Sequence, residues 1–261
     1  MKKIKVLDST SIKIIAIVLM FCDHVHQMFL SFGAPGWLTW LGRPVFVLFL
    51  FASADAFHYT RDRKKYLLRL LFASWAMTAL TLLTQFVLPN QEIVLMNNAF
   101  TTFFLTALCS LFWERLRSGV KEKRAGKIIT SVLLFFVPVL TFLPVFVSGI
   151  LTESNLSLAQ VIVTISLFLP NYGATEGGIL MVALGLLFYI FREKRLVQVA
   201  ILAALSAMIY FMSNSVQALM VFAALPMLMY NGRKGRGMKY FFYVFYPAHI
   251  ILLYIAATLL R

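Results

Sequence analysis

The chain has 261 residues, 61% of them hydrophobic and 13% charged, with 24 Lys and Arg against 10 Asp and Glu. Soluble domains carry about 25% charged residues, so this composition excludes an ordinary soluble enzyme and indicates an integral membrane protein of many spans. The basic excess does not indicate nucleic acid: it lies in short loops between apolar runs, where positive-inside topology places it, and little polar surface remains for such an interface.

The leader MKKIKVLD brings Lys2, Lys3 and Lys5 ahead of the first apolar run and predicts a cytoplasmic N-terminus. Asp8, Ser9 or Thr10 can cap the helix that follows. The run from Ile12 to Phe32 is long enough to cross a bilayer, which takes about 20 residues. It is too long for a signal peptide core and has no clear cleavage segment. Asp23, His24 and His26 lie inside it. An ionisable group at membrane depth is costly and must face protein or a wet cavity, so it is a functional-site candidate.

The uncharged turn SFGAPGW leads to a second span, Leu38 to Phe57, with Arg43 and Pro44 near its outer start and Asp55 near its inner end. Arg43 reads either as a snorkelling interface anchor or as a clamp for an oxyanion, a carboxylate or a thioester oxygen. The basic HYTRDRKKYLLR places the next loop inside. Span three, Tyr66 to Leu88, and span four, Ala99 to Trp113, follow, the latter with Asn98 as a cap. ERLRSGVKEKRAGK is again an inside loop.

Span five begins near Ile128 and contains Pro138 and Pro144, each able to break a helix by removing a backbone donor. It ends in the charge-poor SGILTESN, expected outside. Leu156 to Leu169, Gly178 to Phe191, Leu196 to Phe211, Ala218 to Met229 and Tyr240 to Leu260 are the remaining apolar segments. Three full crossings from Lys127 would put the basic FREKR outside, so either Leu156 to Leu169 is re-entrant or peripheral, or span five dips and returns at its prolines. The expectation is one all-α polytopic helical bundle over residues 1–261, with about nine to ten transmembrane helices and one broken or re-entrant segment. Cys22 and Cys109 both fall within spans and read as packing residues, with neither a disulfide nor a metal-knuckle spacing.

His24 is suited to general-base chemistry because imidazole titrates near working pH. Adjacent Asp23 cannot face the same way, because successive helix residues do not face each other. It either holds a cation such as Arg43 or orients His249 from across the bundle. His249, just after Pro247 in the last span, reads as a catalytic or acyl-accepting histidine or as a core histidine bonded to a helix carbonyl. Glu176 lies at the outer mouth of its span, where a helix N-terminus favours a carboxylate. Asp55 and His58 either line an inner entrance or form a solvated helix end, and His26 points away from His24. The spacing of His24, Asp23 and His249 is not a zinc signature, and no metal is expected.

The stretches LDSTSIKIIAIVLMFCDHVHQMF, GRPVFVLFLFASADAFHYTRDRKKYLLRLLFA, NYGATEGGILM and YFFYVFYPAHIILLYI resemble, in this order and across the whole chain, the TraX family. That family is named for the acetylase of the F-type pilin N-terminus. The resemblance implies a multi-pass acetyltransferase of the bacterial cytoplasmic membrane, taking acetyl from acetyl-CoA on the cytoplasmic side to an acceptor at or beyond the outer face. Its motifs pick out Asp23, His24, Arg43, Glu176 and His249, and the needs of acetyl transfer make His24, His249 and Asp23 the expected catalytic residues and Arg43 and Glu176 the expected substrate-binding ones. A peptide, a cell-wall sugar, a lipid or a small amine are all open as acceptors, since family membership does not settle substrate. A secondary transporter or flippase and a non-catalytic pilus or envelope assembly partner are the alternative classes.

Overall fold

In the computed structural model, which describes residues 5–96, 98–151, 155–173 and 175–260, helix dominates and no strand occurs among the described residues. This is what an apolar chain must do in lipid, where every backbone N–H and C=O needs an internal partner. The expected roles of Lys2 and Lys3, and part of the SGILTESN loop (152–154), lie outside the described residues.

The helices are α1 (Ser9–Phe29), α2 (Trp37–His58), α3 (Arg63–Val87), α4 (Ala99–Lys121), α5 (Ala125–Leu140), α6 (Leu143–Leu151), α7 (Leu156–Phe168), α8 (Gly178–Ile190), α9 (Arg195–Ser213), α10 (Ala224–Met229) and α11 (Lys239–Leu259). Among the described residues, six helical stretches are long and apolar enough to cross a membrane: 9–32, 37–58, 63–87, 125–150, 195–213 and 240–259. This is fewer than the nine to ten expected. The segments 156–168, 178–190 and 216–229 are apolar but shorter. The helix of span five is interrupted at Thr141 and Phe142, between Pro138 and Pro144. Span nine is not one α-helix either: Val216–Ala223 is a 3₁₀ helix, an unusually long run of that tighter winding, and α10 continues it. Large side chains such as Phe86 and Phe211 are exposed, making an outer surface suited to lipid.

The chain forms two compact units, residues 1–59, 80–95 and 187–261 in the first and 60–79 and 96–186 in the second. In the first, α1 and α2 make an antiparallel hairpin closed by a short 3₁₀ turn, Leu30–Phe32, and Gly33 in the left-handed region. Asp8 caps α1 by accepting from the Ser11 N–H. Residue 7 is stitched to the other end of the unit: Leu7 N–H donates to Met229 O at 3.1 Å, and Asn231 N–H to Leu7 O at 2.8 Å. Thr10 Oγ1 donates to Arg236 O at 2.6 Å, so the loop 231–238 folds over the start of α1. Lys13 lies over the Phe242 ring, 5.5 Å from its centroid, and His24 meets His249, so α11 runs parallel to α1.

In the second unit, Asn98 caps α4, and its amide also donates to Ser74 O at 3.1 Å and Thr78 Oγ1 at 2.9 Å, fixing the start of α4 to the middle of α3. Arg63, at the start of α3, pairs with Glu114 of α4. Leu105, Cys109 and Val182 form its apolar centre, where Cys109 Sγ lies 3.4 Å from Tyr172 Oη. Both cysteines are free, Cys109 buried and Cys22 half-buried.

Candidate functional site

The polar residues of the first long span serve two different partners. At about 100° per residue around a helix, Asp23 and His24 point to different neighbours, and the structure shows Asp23 turned to α2 and His24 to α11. Both are buried, Asp23 9% and His24 4% exposed.

Asp23 Oδ1 accepts from Arg43 Nη2 at 2.8 Å and from Thr39 Oγ1 at 3.1 Å, while Oδ2 accepts from Gln27 Nε2 at 2.8 Å. Arg43 also donates from Nε to Thr39 O at 3.0 Å, from Nη2 to Thr39 Oγ1 at 2.9 Å and from Nη1 to Gln217 Oε1 at 3.1 Å. Four of its five N–H groups are thereby directed by named acceptors. Arg43 is held within the first unit as the partner of Asp23, its side chain 24% exposed. Gly42 makes this possible: a Cβ there would sit 2.2 Å from Asp23 Cγ, so α1 and α2 approach at that point with no room for a methyl group.

His24 Nδ1 lies 2.7 Å from His249 Nε2, and the ring centroids are 4.9 Å apart. His249 Nδ1 lies 2.6 Å from Phe245 O, and its ring stacks on Phe245 with centroids 4.7 Å apart. A carbonyl oxygen only accepts, so His249 Nδ1 carries a proton. In the neutral ring Nε2 is then the acceptor, which requires a proton on His24 Nδ1. Two neutral rings in this register leave His24 Nε2 as the basic nitrogen. Pro247, two residues earlier, supplies no backbone N–H to this stretch of α11.

The structure therefore brings Asp23, Arg43, His24 and His249 together in the first unit and answers two questions the sequence left open. Asp23 holds Arg43, and His249 is oriented by a helix carbonyl and paired with His24. Glu176 belongs to the second unit, where its carbonyl accepts from Thr102 Oγ1 at 3.1 Å. Asp55, half-buried, accepts from Tyr230 Oη through Oδ2 at 2.7 Å. Gln27, Thr39, Gly42 and Gln217 are the positions the sequence reading missed. Gln27 and Thr39 stand four residues from Asp23 and Arg43, a helical spacing that could have flagged them. Gln217, 174 residues from Arg43, carried no such signal.

Apolar helices of spanning length around a buried imidazole pair and a buried carboxylate–guanidinium pair define an integral membrane protein with a polar centre inside its helices. Residues 8–257 match the family described as TraX protein, and the chain belongs to that family. It is 28% identical over 256 residues to the probable fimbrial assembly protein FimC, serogroup H1, of Dichelobacter nodosus, a match covering 96% of each chain. No solved structure matches.

Proposed function

We propose that this protein is a membrane-embedded acetyltransferase that moves acetyl from acetyl-CoA to an amine or hydroxyl acceptor. The His24 to His249 hydrogen bond is the observation that supports this reading most. A carbonyl-anchored imidazole pair fixes the tautomer of His24 with Nε2 as its basic nitrogen, the atom suited to take a proton. As the acceptor N or O attacks the thioester carbonyl carbon, its proton passes to His24 Nε2. The C–S bond then breaks, and the leaving thiolate takes that proton to give free CoA. The transient imidazolium is stabilised through Nδ1 by His249 and, beyond it, by the Phe245 carbonyl. Arg43, positioned by Asp23 and Thr39, is the group suited to polarise the thioester oxygen. Asp23 is in this scheme a positioning residue. The N-terminus is placed in the cytoplasm by the positive-inside rule, and nine to ten segments enter the membrane, with α5 to α7 supplying the one that does not cross simply.

The test is transfer from labelled acetyl-CoA by purified protein in detergent, with peptide, sugar and amine acceptors. His24→Ala is expected to lose about 10²- to 10⁴-fold in rate, the usual contribution of a positioned base, and full transfer by that variant would end the assignment. Solute movement in liposomes without acetyl transfer would favour a transporter. A second reading, a non-catalytic assembly partner, is favoured by the relative's name as a fimbrial assembly protein. Under it, cells lacking the gene lose a surface structure while no envelope peptide or polymer loses the mass of an acetyl group.

A further inference from the structure

Within the first unit the basic stretches meet. Lys5, Arg192, Arg195, Tyr230, Asn231 and Gly232 line a cavity of about 170 Å³ where α9 begins and where the segment before α11 folds over the chain start. Glu193 also borders it, but its side chain is 84% exposed and only loosely paired, with 3.7 Å to Arg192.

The two arginines are held from within the protein. Arg195 stacks on Phe51 and Tyr230, its guanidinium carbon 4.3 Å and 5.0 Å from the ring centroids, and Nη1 donates to Gln198 Oε1 at 2.7 Å. Gln198 is in turn tied to Phe188 O at 2.6 Å. Arg192 lies over Tyr189 at 5.2 Å and donates from Nη1 to Tyr189 O at 3.2 Å, while its Nε is buried with no hydrogen-bond partner among the described residues. A buried charged donor without an acceptor is costly, and a preset guanidinium fork matches the geometry of a phosphate oxygen pair. The Leu7 to Asn231 backbone bonds keep Lys5 beside the same cavity, and Gly232, at φ +80°, makes the turn that opens it.

The cavity wall and Arg43 are both tied to α2, at different levels along it. The wall residue Tyr230 bonds Asp55 near one end of α2, and Arg43 lies 12 residues nearer the other end, about 18 Å at about 1.5 Å per residue. That spacing is close to the reach of an extended pantetheine arm.

We infer that this cavity binds the phosphate groups at the nucleotide end of coenzyme A, leaving the pantetheine arm to run along α2 toward His24. The inference rests on the acetyltransferase reading for its choice of ligand. The shared chemistry is a phosphate-bearing anion, and the other source of it is an anionic lipid headgroup.

Full-length protein in nanodiscs of phosphatidylcholine alone is titrated with coenzyme A, with pantetheine and with inorganic pyrophosphate as competitor. Coenzyme A should bind and pyrophosphate should displace it. Arg192→Gln and the surface variant Lys5→Gln should each weaken binding about tenfold for the one positive charge removed, with Arg192→Lys intermediate and pantetheine unaffected. Unchanged coenzyme A affinity in folded Arg192→Gln and Lys5→Gln overturns the site. No coenzyme A binding, together with phosphatidylglycerol retained by the native protein and lost by the variants, overturns the donor assignment in favour of a lipid. Binding of coenzyme A through these residues by a protein that transfers no acetyl sustains the inference while the acetyltransferase reading falls.

Discussion

Gly42→Ala is the substitution that most directly tests how the site is held. An added Cβ would lie 2.2 Å from Asp23 Cγ, 2.3 Å from Asp23 Cβ and 2.4 Å from Oδ1, whereas ordinary van der Waals separation begins at 3.4 Å. The neighbour must retreat by 3.4 − 2.2 = 1.2 Å. A rotamer change cannot supply this, because the Asp23 Cβ is itself among the clashing atoms and moves only with the α1 backbone. Overpacking of this kind costs about 1–3 kcal/mol, which for a chain of this size lowers Tm by roughly 2–12 °C. The shift also stretches the 2.7 Å His24 to His249 bond, since His24 rides on the same turn of α1. A misplacement of about 1 Å can cost 10²-fold in rate, so transfer should fall by about that factor although Gly42 touches neither histidine. Thermal unfolding in detergent and the acetyl-transfer assay read the two effects. Asp23→Ala should not rescue Gly42→Ala, because its Cβ remains. Native Tm and native rate in Gly42→Ala, or full rescue by Asp23→Ala, would refute the reasoning.

The Asp23 to Arg43 pair predicts a cycle: Asp23→Asn and Arg43→Gln should each destabilise, by less than the about 3–5 kcal/mol typical of a fully buried pair because the two side chains are 13% and 24% exposed, and the double variant should recover part of the loss; additive losses measured by thermal unfolding would contradict the coupling. Asp8, at the α1 cap, has its carboxyl held below the ordinary value mainly by the Ser11 backbone N–H, then by the Ser11 hydroxyl. Its folded pKa is lower than its unfolded one, so the stabilisation is present above the unfolded pKa and is lost as pH falls through the folded one. Asp8→Ala should cost about 0.5–2 kcal/mol at neutral pH and flatten the acid side of a Tm-versus-pH curve, and an unchanged acid limb would count against the cap.

Much of the fold was legible because lipid leaves a chain few choices: an apolar run of span length becomes a helix, and a charged residue within it marks the interior. His24, Asp23 and His249 were readable as site candidates on that ground alone, as ionisable groups in apolar runs. What could not be read was the pairing. His24 and His249 are 225 residues apart, and nothing in either run states which of the other ionisable groups it will meet. Asp23 and Arg43 were closer to legible, since a short turn makes α1 and α2 neighbours, yet Gly42 reveals its purpose only when the two backbones are seen side by side. The winding of the segment 216–229 was not legible, because composition does not distinguish 3₁₀ from α. The basic cavity was equally silent: Arg192 and Arg195 look like any inside-loop arginines until the aromatic rings beneath them are known.

The parallel pairing of the first and last helices also has a consequence for biogenesis. At about 5–20 residues per second of synthesis, the 225 residues between the two histidines separate their emergence by roughly 11–45 s. His24 therefore gains its hydrogen-bonded partner only once the final helix has been made, whereas Asp23 can meet Arg43 as soon as α2 follows α1.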